Sequence, residues 1–185
     1  MRVVKNKVVW HQVFLFGGLI FLLLLRWVTG RFIFDVGVFW WLIGAIIGFV
    51  LVFADRLAYI FLMKEEPLSV KVGEMTARGN WRLALSTLLE ERREQKQLVI
   101  RSALFVMVWM VLALFTATSS ANDFARGLML GLGMHLVFDM VTDYLWEKEK
   151  LDLWFWQIKR EIPKDEKQMF VGIVVLVFLF LANIL

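Results

Sequence analysis

The residues whose types and spacing best suit chemistry are His135, Asp139 and Asp143, which follow one another at intervals of four. On a helix this spacing puts all three side chains on one face. One imidazole and two carboxylates can hold a metal ion or relay a proton, and ionisable groups inside a membrane span are costly enough to suggest a function. The structural alternative, which the sequence favours, is a polar helix face buried against neighbouring helices. The chain has one further histidine, His11.

Residues 133–139 resemble the histidine motif of membrane-bound metal-dependent hydrolases of the LexA-binding type. The resemblance implies an intramembrane hydrolase, but the second motif of that family, His-Arg-x-x-Thr-His, is absent, as are the HExxH, GxSxG, P-loop and SxxK patterns. Membrane CAAX-type proteases combine a His-x-x-x-Asp element with Glu-Glu-x-x-x-Arg. Here Glu90 and Glu91 are followed by Gln95 in place of the arginine. The sequence therefore favours a non-enzymatic protein, without catalytic residues, metal or cofactor.

The chain is far more apolar than a soluble domain. Hydrophobic residues fill 60% of its 185 positions, including 17 Phe and 9 Trp. Soluble domains average about 45–50%, and disordered chains contain few aromatic residues. The absence of cysteine excludes disulfides, zinc–thiolate sites and cysteine nucleophiles. The remaining class is a small, all-α integral membrane helical bundle.

Five apolar runs predict transmembrane helices, because about 20 apolar residues cross a hydrocarbon core of roughly 30 Å. With five spans, 18 of the 21 Lys and Arg residues fall on the side of the N-terminus. Cytoplasmic loops carry such an excess, so we expect a bacterial inner-membrane protein with its N-terminus inside and its C-terminus outside. The net charge of +4 then reflects loops facing anionic lipid, and nucleic acid is not an expected partner. The runs cover residues 8–25, 36–53, 102–122, 127–146 and 169–185, the second continuing helically to Met63.

The loop between the second and third spans is predicted to form an amphipathic helical hairpin in the cytoplasm. A Gly-Asn pair at Gly79 breaks its two helices. Trp81, Leu85 and Leu88 then recur at helical spacing. Two interpretations remain open: the hairpin lies on the membrane surface or caps the bundle, or it docks a protein partner through these side chains.

The loop before the fifth span is predicted to contain an interfacial helix. Apolar side chains that include Trp154, Phe155 and Ile158 recur with helical periodicity over residues 151–162, and basic residues lie mostly off that stripe. Such a helix lies flat at the level of the lipid headgroups. The chain is thus expected to divide into residues 1–63 (first two spans), 64–97 (hairpin), 98–146 (third and fourth spans), 147–167 (interfacial helix) and 168–185 (fifth span).

Glycines four residues apart predict that the second and fourth spans pack together. The pairs are Gly44 with Gly48 and Gly127 with Gly131. In lipid, small residues mark helix contacts because they let two backbones approach closely. Both spans run from outside to inside, so their glycines are expected to align in a parallel contact.

The same alignment places Arg56 beside Asp139 near the inner interface, where an unpaired charge is expensive. We therefore expect an ion pair of Arg56 with Asp139 or Asp143. The alternative is that the glycines meet other helices and that Arg101, at the cytoplasmic start of the third span, takes Asp139 instead.

Several motifs resemble a family of small multi-pass membrane proteins from candidate-phyla bacteria, over residues 50–160. The resemblance implies a bacterial inner-membrane protein, and no activity, cofactor or catalytic residue is attached to that family. The motifs are Asp55-Arg56-Leu57, Glu65-Glu66-Pro67-Leu68-Ser69, Glu91-Arg92, Arg101-Ser102-Ala103-Leu104-Phe105, Gly131-Leu132-Gly133-Met134-His135 and Asp143-Tyr144-Leu145.

Three functions follow from these observations. The favoured one is a non-enzymatic scaffold, assembly factor or accessory subunit of a membrane complex, surrounded by the lipid bilayer and docking a protein partner through the hairpin. The second is a small transporter or a proton or metal conduit that uses His135 and Asp139. The third is an intramembrane metal-dependent hydrolase. The sequence leaves the oligomeric state open.

Overall fold

The chain folds into helices, as expected for the all-α class. A computed structural model describes residues 2–28, 35–91, 95, 97–119, 122–146 and 148–185, and no strand occurs among them. A 3₁₀ turn, Asp152–Phe155, follows the seventh helix directly. The helices are α1 (Arg2–Val28), α2 (Val36–Leu62), α3 (Pro67–Ala77), α4 (Trp81–Glu90), α5 (Ala103–Thr118), α6 (Asp123–Trp146), α7 (Lys148–Leu151) and α8 (Lys164–Ile184).

Three of these helices, α2, α6 and α8, are long and apolar enough to cross a membrane. The apolar stretch Trp10–Leu25 of α1 and the whole of α5 are shorter. The helix α5 begins after Ser102, whose hydroxyl accepts a hydrogen bond from the Phe105 amide at 3.2 Å, and it ends at Thr118. Residues 120–121 of the predicted third span lie outside the described residues. By length and composition the structure therefore contains three candidate spans rather than the expected five.

The contact between α2 and α6 is the most extensive in the bundle. Glycines allow it: a Cβ atom at Gly48 would lie 2.1 Å from a carbonyl oxygen of α6, and one at Gly131 would lie 1.8 Å from a carbonyl oxygen of α2. Gly44 and Gly127 are equally close to the opposite backbone, at 2.2 and 2.0 Å. Any side chain at these positions would drive the helices apart, so all four glycines lie where the two backbones meet.

Helices α1, α5 and α8 pack around this pair, and large side chains fill the space between them. Two of these side chains also satisfy backbone carbonyl groups. The indole of Trp41 donates to the Leu185 oxygen at 3.2 Å, and that of Trp109 donates to the Met129 oxygen at 2.9 Å. Pairing of this kind matters in a bilayer, where no water is present to satisfy a polar group.

The predicted hairpin is present as α3 and α4, which join at Gly79 with a φ of +76°. Leu88, expected on the partner-binding surface, is instead buried in the core of the hairpin because it lies on the inner face of α4. Trp81 and Leu85 are exposed, with 68% of Trp81 accessible. The hairpin core also contacts the end of α2; its buried members are Tyr59, Leu68, Val72, Ala84, Leu88 and Leu98.

The predicted interfacial helix over residues 151–162 is wrong. The helix α7 ends at Leu151, the 3₁₀ turn follows, and the chain then continues without regular structure to Pro163. Glu147, where the predicted segment begins, lies outside the described residues.

Trp154 and Phe155, expected at the membrane surface, are buried inside the protein instead. Trp154 is 2% exposed, and the ring centroid of Phe155 lies 5.3 Å from that of Phe170 on α8. Ile158 is exposed. Trp154 and Phe155 thus obtain their apolar environment from α6 and α8 rather than from lipid.

Candidate functional site

Asp139 is the centre of a buried polar cluster. It lies in the second half of α6 and is 0% exposed. Its Oδ2 accepts a hydrogen bond from Arg101 Nε at 2.5 Å, and its Oδ1 accepts one from His11 Nε2 at 3.0 Å. His135, one turn earlier on α6, holds its Nε2 atom 3.4 Å from Oδ2. We refer to these four residues as the Asp139 cluster.

The tautomer of His135 follows from its neighbours. Its Nδ1 lies 2.6 Å from the backbone oxygen of Phe49, which can only accept, so Nδ1 carries the hydrogen. In the neutral ring Nε2 then presents a lone pair, to which Arg101 Nη2 donates at 3.3 Å. Both ring nitrogens of His135 are thus satisfied, and Nε2 points toward Asp139.

Arg101 reaches the cluster because Asp55 of α2 holds the backbone in front of α5. The Asp55 carboxylate accepts hydrogen bonds from the amides of Val99, Ile100 and Arg101 at 3.1, 2.9 and 3.1 Å. Asp55 is itself buried. Asp55 was not among the site residues predicted from the sequence, although an acidic residue at the end of an apolar run is a signal for such a role.

His11 is the member of the cluster that the sequence analysis left without a role. It comes from α1, 128 positions away from Asp139, and no motif links the two. Aromatic rings surround it: its centroid lies 4.8 Å from that of Phe138 and 5.7 Å from that of Phe53. The cluster is therefore shielded on this side by apolar rings, which strengthens electrostatic interactions inside it.

Asp143 lies outside the group formed by the two histidines and Asp139. It accepts a hydrogen bond from the indole of Trp154 at 3.0 Å. It also lines a small cavity of about 20 Å³, together with Arg101, Gln95 and Lys150. The structure thus brings His135 and Asp139 together with His11, whereas Asp143, which was predicted to join them, lines the cavity.

The contact of Arg101 with Asp139 is the alternative that the sequence analysis had left open for this carboxylate. Arg56 is also buried, and its guanidinium carbon lies 5.9 Å from the centroid of the Phe53 ring. The pairing of Arg56 with Asp139 or Asp143 stays a prediction.

The chemistry of the cluster allows two roles. As an ion pair with two histidine partners, it ties α1, the start of α5 and α6 together. As a donor set, it offers one atom each from His11, His135 and Asp139, and these atoms lie within 4.8 Å of one another. Two imidazoles and one carboxylate are also a common ligand set for first-row transition metals.

No protein-family model, curated protein or solved structure matches the chain. The resemblance to membrane proteins of candidate-phyla bacteria therefore stays an expectation from the sequence.

Proposed function

We propose that the chain is an integral membrane protein with five spans, which acts as a non-enzymatic scaffold or accessory subunit and docks a cytosolic protein through α4. The observation that carries the docking role is the exposed apolar face of α4 on a hairpin that is fixed to the end of α2. The membrane placement, the absence of catalysis and the docking surface are each supported by different residues.

Exposed apolar side chains support a lipid environment for the bundle. They occur along α1, α2, α5 and α8, on helix faces that point away from the core. Soluble monomers rarely expose contiguous apolar patches beyond a few hundred Å², whereas lipid covers such faces at no cost. Examples are Val13, Ile20, Val50, Val111, Phe115, Leu176 and Phe180.

Length and charge support five spans. At about 1.5 Å per residue, the 27 residues of α1 extend about 40 Å, and the 16 residues of α5 extend about 24 Å. A span that is short by a few ångströms is accommodated by local thinning of the bilayer. The apolar faces of α5 need the same cover as those of α2, and the distribution of basic residues favours an N-terminus inside.

The burial of the Asp139 cluster favours a structural role over catalysis or conduction. His135 and Asp139 are both 0% exposed, so a substrate has no access to their reacting atoms. A conduit also needs a polar path to the other side of the membrane. Beyond the cluster, toward the start of α6, the glycines Gly127 and Gly131 hold α2 and α6 in backbone contact.

The two faces of α4 support a docking surface for a protein. Ala84 and Leu88 point into the hairpin core, whereas Trp81 and Leu85, one turn apart on the helix, are exposed. We term these two exposed side chains the α4 face. Two exposed arginines lie beside it in the sequence: Arg82, and Arg78, whose Nη2 atom is 3.7 Å from a carboxylate oxygen of Glu74. The matching partner is a protein segment with an apolar anchor flanked by Asp or Glu.

A single-cysteine reporter tests this proposal, because the chain contains no cysteine of its own. Ser86→Cys, next to the α4 face, is labelled with a dye whose emission shifts in apolar surroundings. The full chain is then placed in liposomes and exposed to cytosolic fractions. We expect a shift only when cytosol is added, and we expect Trp81→Ser with Leu85→Ser to abolish it.

The matched control is Val70→Ser, an equally exposed apolar position on α3 outside the α4 face. It should leave the shift intact, whereas Arg82→Glu should weaken it because the partner is acidic. A shift in liposomes alone would show that the α4 face lies on the membrane. That result, or a shift that survives the double substitution, contradicts docking.

A further inference from the structure

The Asp139 cluster has the geometry of a metal site. In a tetrahedral site with ligands about 2.0–2.1 Å from the metal, neighbouring ligand atoms are about 3.3 Å apart. In the cluster, His11 Nε2 lies 3.0 Å from Asp139 Oδ1, whereas the 3.4 Å contact of His135 Nε2 is with the other carboxylate oxygen, Oδ2. All three donor atoms lie within 4.8 Å of one another. Separations of up to 4.8 Å have to shorten to about 3.3 Å for the three atoms to surround one ion.

A backbone hydrogen bond prepares His135 for this role. Histidines that bind metals nearly always donate their other ring hydrogen to a carboxylate, a backbone carbonyl or water, which fixes the ring and its tautomer. His135 makes this contact with the Phe49 oxygen at 2.6 Å. This hydrogen bond orients the Nε2 lone pair of His135 toward Asp139. It is a second observation in favour of a metal site, separate from the distances between the ligand atoms.

We propose that His11, His135 and Asp139 bind one divalent transition-metal ion, for which Zn²⁺ is the probe. The ion takes Asp139 Oδ1 and the Nε2 lone pair of His11, whose ring hydrogen then lies on Nδ1 instead of on Nε2. Arg101 Nε remains on Oδ2 as the partner that holds the carboxylate in place. The contact of Arg101 Nη2 with His135 Nε2, at 3.3 Å, gives way to the metal. This site goes beyond the docking role and does not depend on it.

The surroundings of Arg101 allow that movement. Arg101 lines the cavity of about 20 Å³, which has the size of one water molecule and suffices for a small shift of the guanidinium. The cavity wall also offers Asp143 and the Oε1 atom of Gln95. That oxygen is buried and has no hydrogen-bond partner within the described part of the chain. Both groups can accept a hydrogen bond from the displaced Nη2.

The chemical type of the ligands determines which metals fit, since Zn²⁺, Co²⁺ and Mg²⁺ carry the same charge. Hard ions such as Mg²⁺ prefer oxygen ligands and keep their water, whereas imidazole ligands suit Zn²⁺ and other late first-row ions. The site should therefore bind Zn²⁺ or Co²⁺ and reject Mg²⁺.

Equilibrium dialysis of the full chain in detergent tests the site. The protein is purified through a tag without histidine and treated with a chelator. We expect one Zn²⁺ per chain, no binding of Mg²⁺, and the visible absorption of tetrahedral Co²⁺ when Co²⁺ is added. Absence of saturable Zn²⁺ binding overturns the proposal.

Substitutions identify the ligands. His11→Ala and Asp139→Asn should each weaken Zn²⁺ binding by about tenfold or more. The matched control is Asp123→Asn, which removes the exposed acidic residue at the start of α6 and should leave binding unchanged. Binding that survives His11→Ala, or that is lost with Asp123→Asn, contradicts this ligand set.

A stability measurement separates metal binding from folding. Arg101→Met leaves Asp139 without its arginine, so the variant should unfold at a lower temperature than the wild type. Zn²⁺ should restore that loss because the ion takes over the charge of the carboxylate. Adding His11→Ala to Arg101→Met should remove the rescue. If Zn²⁺ raises the unfolding temperature of neither Arg101→Met nor the wild type, the proposal is wrong.

Discussion

The Asp55 carboxylate on α2 accepts a hydrogen bond from the backbone amide of Arg101 at 3.1 Å, and the side chain of Arg101 in turn reaches Asp139 on α6. Asp55 thus positions Arg101, and Arg101 neutralises the charge of Asp139. Both carboxylates are buried, and neither belongs to a helix cap. The start of α5 is therefore held between α2 and α6 by charged groups, while the glycines hold the same two helices together by close packing.

Asp55→Asn should lower the free energy of unfolding by about 2 kcal/mol, because the amide accepts fewer hydrogen bonds than the carboxylate and loses its charge. Denaturation in detergent, followed by circular dichroism, measures the change. The matched control is Asp35→Asn at the other end of α2, where the side chain accepts from the Val38 amide at 3.2 Å. Asn and Asp cap helices equally well, so its effect should stay within about 0.5 kcal/mol. Equal effects of the two substitutions would contradict the role of Asp55.

A double-mutant cycle should show strong coupling between Arg101 and Asp139. Arg101→Ala and Asp139→Ala each leave a buried charge without its partner, which costs about 3–5 kcal/mol. The double variant should lose clearly less than the two single losses combined. The same cycle with Arg56→Ala in place of Arg101→Ala tests the pairing predicted from the sequence.

The coupling of Arg101 with Asp139 should exceed that of Arg56 with Asp139, because Arg101 contacts the carboxylate directly. Strict additivity of Arg101→Ala and Asp139→Ala, within about 0.5 kcal/mol, would remove the proposed pair. All variants are compared in the same detergent, with helix content as the check that each one folds.

The features of the fold that depend on local sequence could be predicted. Apolar length indicated α2, α6 and α8, and the Gly-Asn pair indicated the turn at Gly79. Glycine spacing pointed to the contact of α2 with α6, since glycine is informative wherever backbones have to touch. These signals require no knowledge of distant neighbours.

The features that depend on the identity of the neighbour could not be predicted. Periodicity showed that Trp154 and Phe155 need an apolar environment, but both lipid and protein core provide one. The role of His11 depends on a contact 128 positions away. The predicted spans 8–25 and 102–122 also differ from α1 (Arg2–Val28) and α5 (Ala103–Thr118), because an apolar residue does not by itself specify where a helix ends.

Trp154→Phe should destabilise the protein by about 1–3 kcal/mol, since it removes the indole hydrogen that Asp143 accepts at 3.0 Å and leaves a buried carboxylate with one donor fewer. Thermal unfolding in detergent measures this loss. Trp10→Phe serves as the control because Trp10 is exposed on α1, and its effect should be small. A loss that is equal at both positions would place Trp154 at the lipid surface after all.

The five-span topology predicts where reporters are active. A reporter that works only in the cytoplasm should be silent when fused after Leu185, because an odd number of spans separates the two termini. The same reporter inserted after Gly79, in the hairpin, should be active. Activity at both positions would leave an even number of spans between the hairpin and the C-terminus and would contradict the proposal.

Gly131→Ala should weaken the bundle by about 2–3 kcal/mol, because its Cβ would lie 1.8 Å from the Ala45 oxygen and the two helices have to separate. The informative control is Gly172→Ala on α8, where a Cβ meets no atom within 4 Å. Alanine favours a helix over glycine by up to about 1 kcal/mol, so this variant should be neutral or slightly more stable. If Gly131→Ala lowers the free energy of unfolding and Gly172→Ala does not, the loss at Gly131 comes from close packing and not from helix propensity. Equal effects on the unfolding of both variants would mean that α2 and α6 do not depend on glycine to pack.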